Sequence, residues 1–414
     1  MSAIRLTPRR HATRGRGHPG LRFVAYAAAA VLGFSSVGSY VYIQSALNQV
    51  TTVDVTELLG DQRPPVPVAP RDGAKGEWIN ILLLGSDSRS GGNGAIGGSV
   101  GGMRNDTSIV MHISADRTRI EFMSIPRDSW VAVPDCQLFD GTTVKGWSGK
   151  FNIAFANGAK HRNSAEAAAC VQKTVESLTD ISIQYYAVID FVGFEQMIDA
   201  LGGVPMCVPG HIVAPEAGLD IQGGPQILDG KTALAWARAR KATVGREWLD
   251  GSDTGRITRQ QELLARITEK AMAENIFLDQ GTLRDFITAG AASMTTSPRL
   301  ADASFLVGLA FSLRKISPEN IVFTTVPFKG DPEHSGSVVW TSAANTMFDS
   351  IRNDQPIAGR SVSDASTATP VPAPATGATP APAPATGATP APATGTVQDA
   401  PTPNIDLLGA CAAE

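Results

Sequence analysis

Aspartate and arginine residues collect where three predicted apolar strands begin or end. In chain order the pairs are Asp87 with Arg89, Arg104 with Asp106, and Arg127 with Asp128. Ligands of open α/β sheets bind beyond the strand ends, so we expect these six side chains to share one site. The rival interpretation is ordinary turn chemistry, because Asp is a common loop residue. Three such pairs in succession favour a ligand site.

Two carboxylates together with guanidinium groups suit a diphosphate ligand. Asp87 and Asp106 are the candidate ligands of Mg²⁺, or of Mn²⁺, whose remaining positions water and phosphate oxygens would fill. Guanidinium groups would bind the other phosphate oxygens in bidentate fashion. The histidines are scattered along the chain. No His, Cys or Ser/His/Asp pattern therefore competes with this interpretation.

Further polar side chains in the second half of the chain fit the same ligand. They form three groups, namely Lys150 with Asn152, Arg238 with Arg240, and Arg256 with Arg259 and Gln260. The first pair shares a side if the chain is extended there, and the second pair reaches one ligand only if the preceding helix ends just before or at it. The third group shares a face at a helix N-terminus, where anions are favoured. A solvated helix face is the rival interpretation of this last group.

Few acidic residues lie near these arginines in the sequence. The segments 237–242 and 256–261 contain no acid, and Arg127 has only its neighbour Asp128. Structural ion pairs would require a carboxylate for each guanidinium group. The sequence therefore predicts that the arginines bind an anionic ligand.

The elements that position these residues alternate between strand and helix patterns. Predicted strands are 78–84, 108–113, 119–125, 185–189 and 321–326, and the second and third form a hairpin. Predicted helices are 164–178 with Ser164 as N-cap, 191–201, 231–237, 256–272, 283–294, 303–313 and 343–351. This alternation predicts an α/β fold with a central mixed β-sheet flanked by helices.

The N-terminal segment predicts a membrane anchor. Residues 1–22 carry six arginines and no acid, although the whole chain has a net charge of −4. Residues 23–43 contain no charged residue and are long enough for a transmembrane helix. The positive-inside rule keeps the basic arm in the cytoplasm and places the rest of the chain outside. A secretory signal peptide is the rival interpretation of this span, and binding to nucleic acid is not expected.

Composition divides the remaining chain into three parts. Residues 44–76 contain four prolines between 64 and 70 and predict an extended extracytoplasmic stalk. Residues 77–355 form the predicted catalytic domain. Residues 356–414 repeat Pro, Ala, Thr and Gly and predict a disordered tail.

The four cysteines all follow the predicted span, where disulfides persist. Three connectivities are possible, and unpaired buried thiols are the alternative. Our hypothesis pairs Cys136 with Cys170, because they flank a long irregular stretch. Cys207 would then pair with Cys411 and hold the end of the tail.

The sequence resembles the LytR-CpsA-Psr family over residues 78–272. The resemblance is carried by seven strings in the family's order behind a basic arm and one predicted span, namely LLLGSDSR, RNDTSIV, SIPRDSWV, KFNIAFANG, DFVGFEQMIDALGGV, LDGKTALAWARAR and DTGRITRQQ. Any one of these strings is weakly specific. Together they are highly specific.

The resemblance implies a function and a set of site residues. Such proteins attach teichoic acid, capsular polysaccharide or arabinogalactan to peptidoglycan, and they bind polyprenyl pyrophosphate with its lipid in an apolar groove. The resemblance implies that Asp87 and Asp106 hold the metal. The implied phosphate-binding arginines are Arg89, Arg104, Arg127, Arg238, Arg240 and Arg256. Motif positions with less defined substrate-binding roles are Asp128, Lys150, Asn152, Arg259, Gln260 and Gln261.

The expected activity is therefore a phosphotransfer at the outer face of the cell membrane. A hydroxyl of peptidoglycan, the acceptor, would attack the phosphorus that bears the glycan, with Asp87, Asp106, Arg127, Arg238 and Arg240 as the catalytic residues and Mg²⁺ as cofactor. The alternatives are a pyrophosphatase that uses water in place of the acceptor and a non-catalytic lipid-binding or regulatory domain. The sequence does not identify the glycopolymer.

Overall fold

A computed structural model describes residue 41 and residues 43–67, 76–87, 103–208, 210–244, 247–249, 253–273 and 280–361. The chain divides into two units, Met1–Tyr42 and Ile43–Glu414, and the architecture below is that of the second. No helix among the described residues is long and apolar enough to cross a membrane. Most of the predicted span, 23–43, lies outside those residues, so the span stays a prediction.

Strands of the second unit belong to one large sheet and several small ones. In chain order they are β1 (Thr51–Thr52), β2 (Ile79–Ser86), β3 (Asn105–Ile113), β4 (Ile120–Ser124), β5 (Trp130–Val133), β6 (Cys136–Gln137), β7 (Thr143–Val144), β8 (Trp147–Lys150), β9 (Tyr185–Asp190), β10 (Val204–Val208), β11 (Ile212–Ala214), β12 (Leu219–Ile221), β13 (Gly224–Leu228), β14 (Ala242–Val244), β15 (Glu247–Leu249), β16 (Met294–Thr296), β17 (Ile321–Thr325), β18 (Phe328–Gly330), β19 (Val338–Trp340) and β20 (Arg360–Ser361).

The α-helices alternate with these strands. They are α1 (Thr56–Leu59), α2 (Ile153–Gly158), α3 (Ser164–Thr179), α4 (Phe191–Ala200), α5 (Gly230–Arg238), α6 (Asp253–Ala273), α7 (Gln280–Ala291), α8 (Ala303–Leu313) and α9 (Ser342–Arg352). Short 3₁₀ helices lie at Ala159–His161, Pro215–Ala217, Pro298–Ala301 and Pro318–Asn320.

The large sheet is mixed, as the sequence predicts. Its strand order is β1-β16-β9-β2-β3-β4-β17-β20. Strands β2, β3 and β4 form an antiparallel meander, whereas β9 runs parallel to β2 and β17 runs parallel to β4. The predicted hairpin of 108–113 and 119–125 is thereby confirmed.

Both faces of this sheet are buried, which explains the apolar runs Ile81–Leu84 in β2 and Ile109–Met111 in β3. On one face Leu82 and Leu84 of β2 pack in a core cluster with residues of α3. On the other face Ile79 and Ile81 pack with Phe305 of α8, and neighbouring residues of β3, β4 and β17 pack with α6. Alternate side chains of each strand therefore serve two cores in a three-layer α/β/α arrangement.

Helix boundaries follow local capping chemistry. The N-cap of α3 is Asn163 and not the predicted Ser164, because the Asn163 side chain accepts hydrogen bonds from the backbone N–H groups of Ala165 and Glu166. Helix α4 stops where Gly202 and Gly203 adopt positive φ, as the Gly pair predicts. The helix predicted for 283–294 instead ends at Ala291, and Met294 begins β16 by pairing with Ile189 of β9.

The predicted stalk does not stand apart from the domain along its first part. Residues 43–47 are helical, and Ile43 and Leu47 pack against Ile287 and Ala303. Thr51–Thr52 then forms β1 beside β16, and α1 buries Leu58 and Leu59 in the main core. The burial of these apolar side chains holds the segment against the domain, so the extended-stalk prediction is wrong for residues 44–59.

The domain also continues beyond its predicted end. Ile357 is buried in the main core, and its backbone N–H donates to the Glu121 carboxylate over 2.8 Å. Strand β20 pairs with β17. Residues 357–361 therefore belong to the domain and not to the tail, and residues 362–414 lie outside the described residues.

One predicted disulfide is present. Cys136 and Cys170 are bonded, with their Cα atoms 5.5 Å apart, and the bridge joins β6 to α3. Cys411 lies outside the described residues, so the pairing with Cys207 stays a prediction.

Candidate phosphate-binding site

One of the two predicted metal ligands, Asp106, lies on β3, and the other, Asp87, follows the neighbouring strand β2. Asp87 directly follows β2, is 8% exposed, and accepts a hydrogen bond from the backbone N–H of Arg104 over 2.5 Å through Oδ1. The pairing of β2 with β3 passes from Thr107 to Asn105 and leaves out Asp106. A β-bulge of this kind redirects a side chain beside a site. The Asp106 side chain therefore does not follow the alternation of side chains between the two faces of β3.

The Asp106 carboxylate lies close to two guanidinium groups that come from different parts of the fold. Its Oδ1 lies 2.5 Å from Nη1 of Arg127, which follows β4, and 3.8 Å from Nη1 of Arg256 on α6. Arg256 is only 2% exposed. The sequence offered Arg127 only its neighbour Asp128 and offered Arg256 no nearby acid. The sheet brings Asp106 to both arginines from another strand, so the expectation of no structural ion pair is wrong for them.

A second ion pair continues from Arg127 along the loop that follows β4. Asp128 Oδ2 lies 3.7 Å from Arg127 Nε, and its Oδ1 lies 2.8 Å from Lys150 Nζ. Lys150 also donates to the carbonyl of Gly336 over 2.8 Å. Segment 331–338 beside the site was not found from the sequence, since nothing in its residue types signals this contact.

Asn152 departs from the extended geometry that would set it beside Lys150. Its φ and ψ of −63° and −14° are helical, because the chain turns at this point into α2. Its backbone N–H donates to the carbonyl of Arg127 over 3.1 Å. The residue therefore supports the Arg127 loop through its backbone.

Helix α6 presents buried arginines to the sheet and not to solvent. Arg259 is 3% exposed and donates through Nη2 to the carbonyl of Ala239, and its Nε has no hydrogen-bond partner among the described residues. Burial, followed by the charge of Arg256, lowers the pKa of Arg259 to about 10. The solvated-face interpretation is wrong for these two arginines, and their mutual repulsion favours an anion beside them.

Two contacts fasten the end of α5 to α6. Arg259 binds the carbonyl of Ala239, and Gln260 Nε2 donates to the carbonyl of Ala237 over 3.3 Å. Helix α5 ends at Arg238, and Ala239 has an extended backbone, which is the condition for Arg238 and Arg240 to reach a common ligand. Both residues are thereby held next to α6.

The side chains of Arg238, the last residue of α5, and Arg240, which follows the helix, have different environments. The Arg238 guanidinium stacks over the ring of Phe191 at 4.4 Å from its centroid. Arg240 is exposed and makes no ion pair within the described part of the chain. Arg104 is likewise exposed, and Arg89 lies outside the described residues.

Gln261 has a structural set of contacts. Its Nε2 donates to Ser124 Oγ at the end of β4 and to the Thr324 carbonyl and Thr325 Oγ1 at the end of β17, over 2.9 to 3.1 Å. The side chain thus ties α6 to two parallel strand ends. It positions the arginine-bearing helix over the site.

The donor set is compatible with Mg²⁺ or Mn²⁺. Asp87 and Asp106 come from adjacent strands, and Mg²⁺ in phosphate sites takes one or two carboxylates plus water and substrate oxygens. No group of three or more His, Cys, Asp or Glu residues that could hold a metal occurs among the described residues. Two carboxylates would leave the remaining positions of such a metal to water and phosphate oxygens.

Comparisons with known proteins agree with the sequence strings and the geometry. The LytR_cpsA_psr family model matches residues 41–355. The probable cell wall biosynthesis protein LcpB of Corynebacterium glutamicum is 32% identical over 303 residues, which cover 70% of this chain and 64% of LcpB. The chain thus spans slightly less than two thirds of this relative's length.

A relative from Bacillus subtilis and a solved structure extend the comparison. The polyisoprenyl-teichoic acid–peptidoglycan teichoic acid transferase TagT is 28% identical over 247 residues, or 58% of this chain and 66% of TagT. The structure of TagT bound to LIIa-WTA matches with a TM-score of 0.51 and 22% identity, covering 74% of this chain and all of that chain. This structural likeness concerns the fold.

Proposed function

The chain belongs to the LytR-CpsA-Psr family, and from that premise we propose that it is a membrane-anchored, extracytoplasmic phosphotransferase. It transfers a phosphate-linked glycopolymer from polyprenyl pyrophosphate to peptidoglycan. TagT, one of its relatives, is a transferase that joins teichoic acid to peptidoglycan. Cell wall biosynthesis in the relative LcpB supports the same class of reaction.

The observation that carries the proposal is the cationic cluster at the ends of β3 and β4. Arg256 and Arg259 are both nearly inaccessible to solvent, and Arg127 lies beside them on Asp106. Burying guanidinium groups side by side costs stability, and the Asp106 carboxylate, which Arg127 and Arg256 share, offsets that cost only in part. A diphosphate offers the oxygens that such groups bind in bidentate fashion.

The reaction is an in-line displacement at the phosphorus that bears the glycan. The acceptor hydroxyl forms a new P–O bond, the bond to the bridging oxygen breaks, and polyprenyl phosphate leaves and takes up the hydroxyl proton in the overall balance. Arg127 and Arg256 stabilise the negative charge of the transition state from fixed positions. Asp87 and Asp106 would hold Mg²⁺, which when bound neutralises charge on the diphosphate oxygens.

The two arginines at the C-terminal end of α5, Arg238 and Arg240, have a separate role in this proposal. Arg238 is oriented by its stack on Phe191 and Arg240 extends into solvent. Together they bind the outer phosphate oxygens of the ligand. An ammonium group does not reproduce the planar fork of a guanidinium group, so exchange for lysine tests this role directly.

The test uses the full chain in lipid nanodiscs with a labelled polyprenyl-pyrophosphate-linked glycan, with and without peptidoglycan. Transfer of label to peptidoglycan only when the acceptor is present is the expected result. Release of labelled glycan phosphate into water without acceptor would identify a pyrophosphatase, and binding without turnover would identify a lipid-binding domain. Arg238→Lys should reduce transfer severely, whereas Arg119→Lys, remote from the site, should not.

A further inference from the structure

Helix α8 exposes an apolar face that the packing of the domain does not require. Val307 is 43% exposed and Phe311 is 58% exposed, and they lie one turn apart on the same side of the helix. Single exposed apolar residues are ordinary on protein surfaces. A continuous apolar face on two successive turns needs a partner.

The composition of α8 is unusual for a helix at a protein surface. Its 11 residues, Ala303–Leu313, include no charged side chain. A surface helix of a globular domain normally carries charged residues on its solvent side. Two cationic residues, Arg314 and Lys315, come directly after the last helical residue, and both are exposed.

The Arg314 side chain has the geometry of a cationic side chain at a membrane interface. Its guanidinium carbon lies 3.6 Å from the centroid of the Phe311 ring. At a bilayer surface, amphipathic side chains place their apolar part in the acyl region and their charged group at the level of the lipid phosphates. The Phe311 ring beneath the Arg314 guanidinium group fits this arrangement. The order of apolar face and cationic end therefore matches a phospholipid surface.

The N-terminal end of α8 lies against the segment that follows the predicted membrane span. Gln44 accepts a hydrogen bond from the backbone N–H of Ala303 through Oε1 over 3.0 Å, and its Nε2 donates to the carbonyl of Ala301 over 3.2 Å. The predicted span ends at Ile43, the residue before Gln44 in the sequence. Along the helix axis, Val307 and Phe311 are therefore about 6 and 12 Å from this attachment point.

We propose that the exposed face of α8 is a membrane-contacting surface of the domain. Val307 and Phe311 enter the interfacial region of the bilayer that holds the predicted span, and Arg314 and Lys315 bind lipid phosphates. The domain is thereby held close to the membrane surface, which restricts its tumbling about residue 43. This inference rests on the predicted span and is independent of the transfer reaction.

The experiment places a fluorophore on the proposed surface in the full chain. The described cysteines are disulfide-bonded, so Phe311→Cys or Val307→Cys is labelled with an environment-sensitive dye, and the labelled wild type gives the background. Each labelled chain is reconstituted at one chain per nanodisc. The nanodiscs are prepared with or without lipids that carry a quencher just below the headgroup. Ile227→Cys on β13, where the native side chain is 70% exposed, is the matched control.

The expected result is a loss of roughly half the emission at positions 307 and 311, with little loss at 227, because only the first two would lie at the acyl boundary. Adding Arg314→Glu and Lys315→Glu should reduce the loss at 311. Equal quenching at all three positions, or none at 307 and 311, would overturn the proposal. It also falls if the chain does not enter nanodiscs, or if quenching requires two chains per disc, which would indicate a second copy as the partner.

Discussion

Removing the negative charge of Asp106 should lower the stability of the domain and strengthen its binding of anions. Asp106→Asn keeps the size of the side chain but removes the negative charge that faces Arg127 at 2.5 Å and Arg256 at 3.8 Å. Without a bound ligand, the variant keeps the close guanidinium groups of Arg127 and Arg256 but lacks the carboxylate charge that offsets their repulsion. The site that remains is more positive than in the native protein.

The magnitude follows from these distances. Charges about 4 Å apart attract by roughly 4 kcal/mol at an effective dielectric constant of about 20, before the costs of desolvation. Because Asp106 is 27% exposed and Arg127 is 18% exposed, water screens part of this attraction. We expect a net loss of about 2 to 4 kcal/mol in the free energy of unfolding. Each kcal/mol should lower the melting temperature by about 2 to 4 °C in a domain of this size.

The assay measures inorganic pyrophosphate binding by calorimetry and by the rise in melting temperature that it produces. In EDTA, Asp106→Asn should bind pyrophosphate about tenfold more tightly than the native chain, since a repulsive carboxylate is gone. With Mg²⁺ the order should reverse if Asp106 is a metal ligand, because the variant has lost a ligand oxygen.

Asp354→Asn is the matched control. Asp354 is 23% exposed and lies 2.8 Å from Arg119, so the variant should lose comparable stability without any change in pyrophosphate affinity. Unchanged affinity of Asp106→Asn in EDTA would refute the anion site. An identical effect of Mg²⁺ on the native chain and on Asp106→Asn would refute the metal role of Asp106.

Three further predictions concern positioning, the disulfide and pH. Gln261→Ala should lower the free energy of unfolding by about 2 to 3 kcal/mol, because it removes three hydrogen bonds; Gln260→Ala, which loses one 3.3 Å contact, should change the melting temperature far less, and equal shifts would contradict the positioning role. Replacing both Cys136 and Cys170 by Ala should cost about 4 kcal/mol by thermal denaturation, since the bridge closes a loop with a sequence separation of 34; an unchanged midpoint would count against a stabilising bridge. Burial raises the pKa of Glu121 above 4.5, so its contribution to stability is present below the unfolded pKa and is lost as pH rises through the folded pKa. Glu121→Gln should therefore gain in melting temperature relative to the native chain between pH 4 and pH 7, and a constant difference would exclude this titration.

Much of the fold was predictable because local patterns and tertiary packing agree. Strand β2 contains the apolar run Ile81–Leu84 because both faces of the sheet are covered, and helix α8 has the predicted bounds, 303–313. Failures occurred where distant residues decide the outcome. Residues 44–59 were predicted as part of a stalk, because the residues that Leu47 and Leu59 pack against lie far away in the sequence.

The candidate site divides in the same way. Residue types and order alone identified the family and predicted the two aspartates and the arginines as site residues, because those strings are local. Only the tertiary structure showed that Asp106 faces Arg127 and Arg256, that Arg259 is buried, and that Gln261 ties α6 to two strands. These relations depend on strand pairing, a β-bulge and the seating of a helix on a sheet. Such contacts join residues 20 to 150 positions apart, so neither spacing nor periodicity contains them.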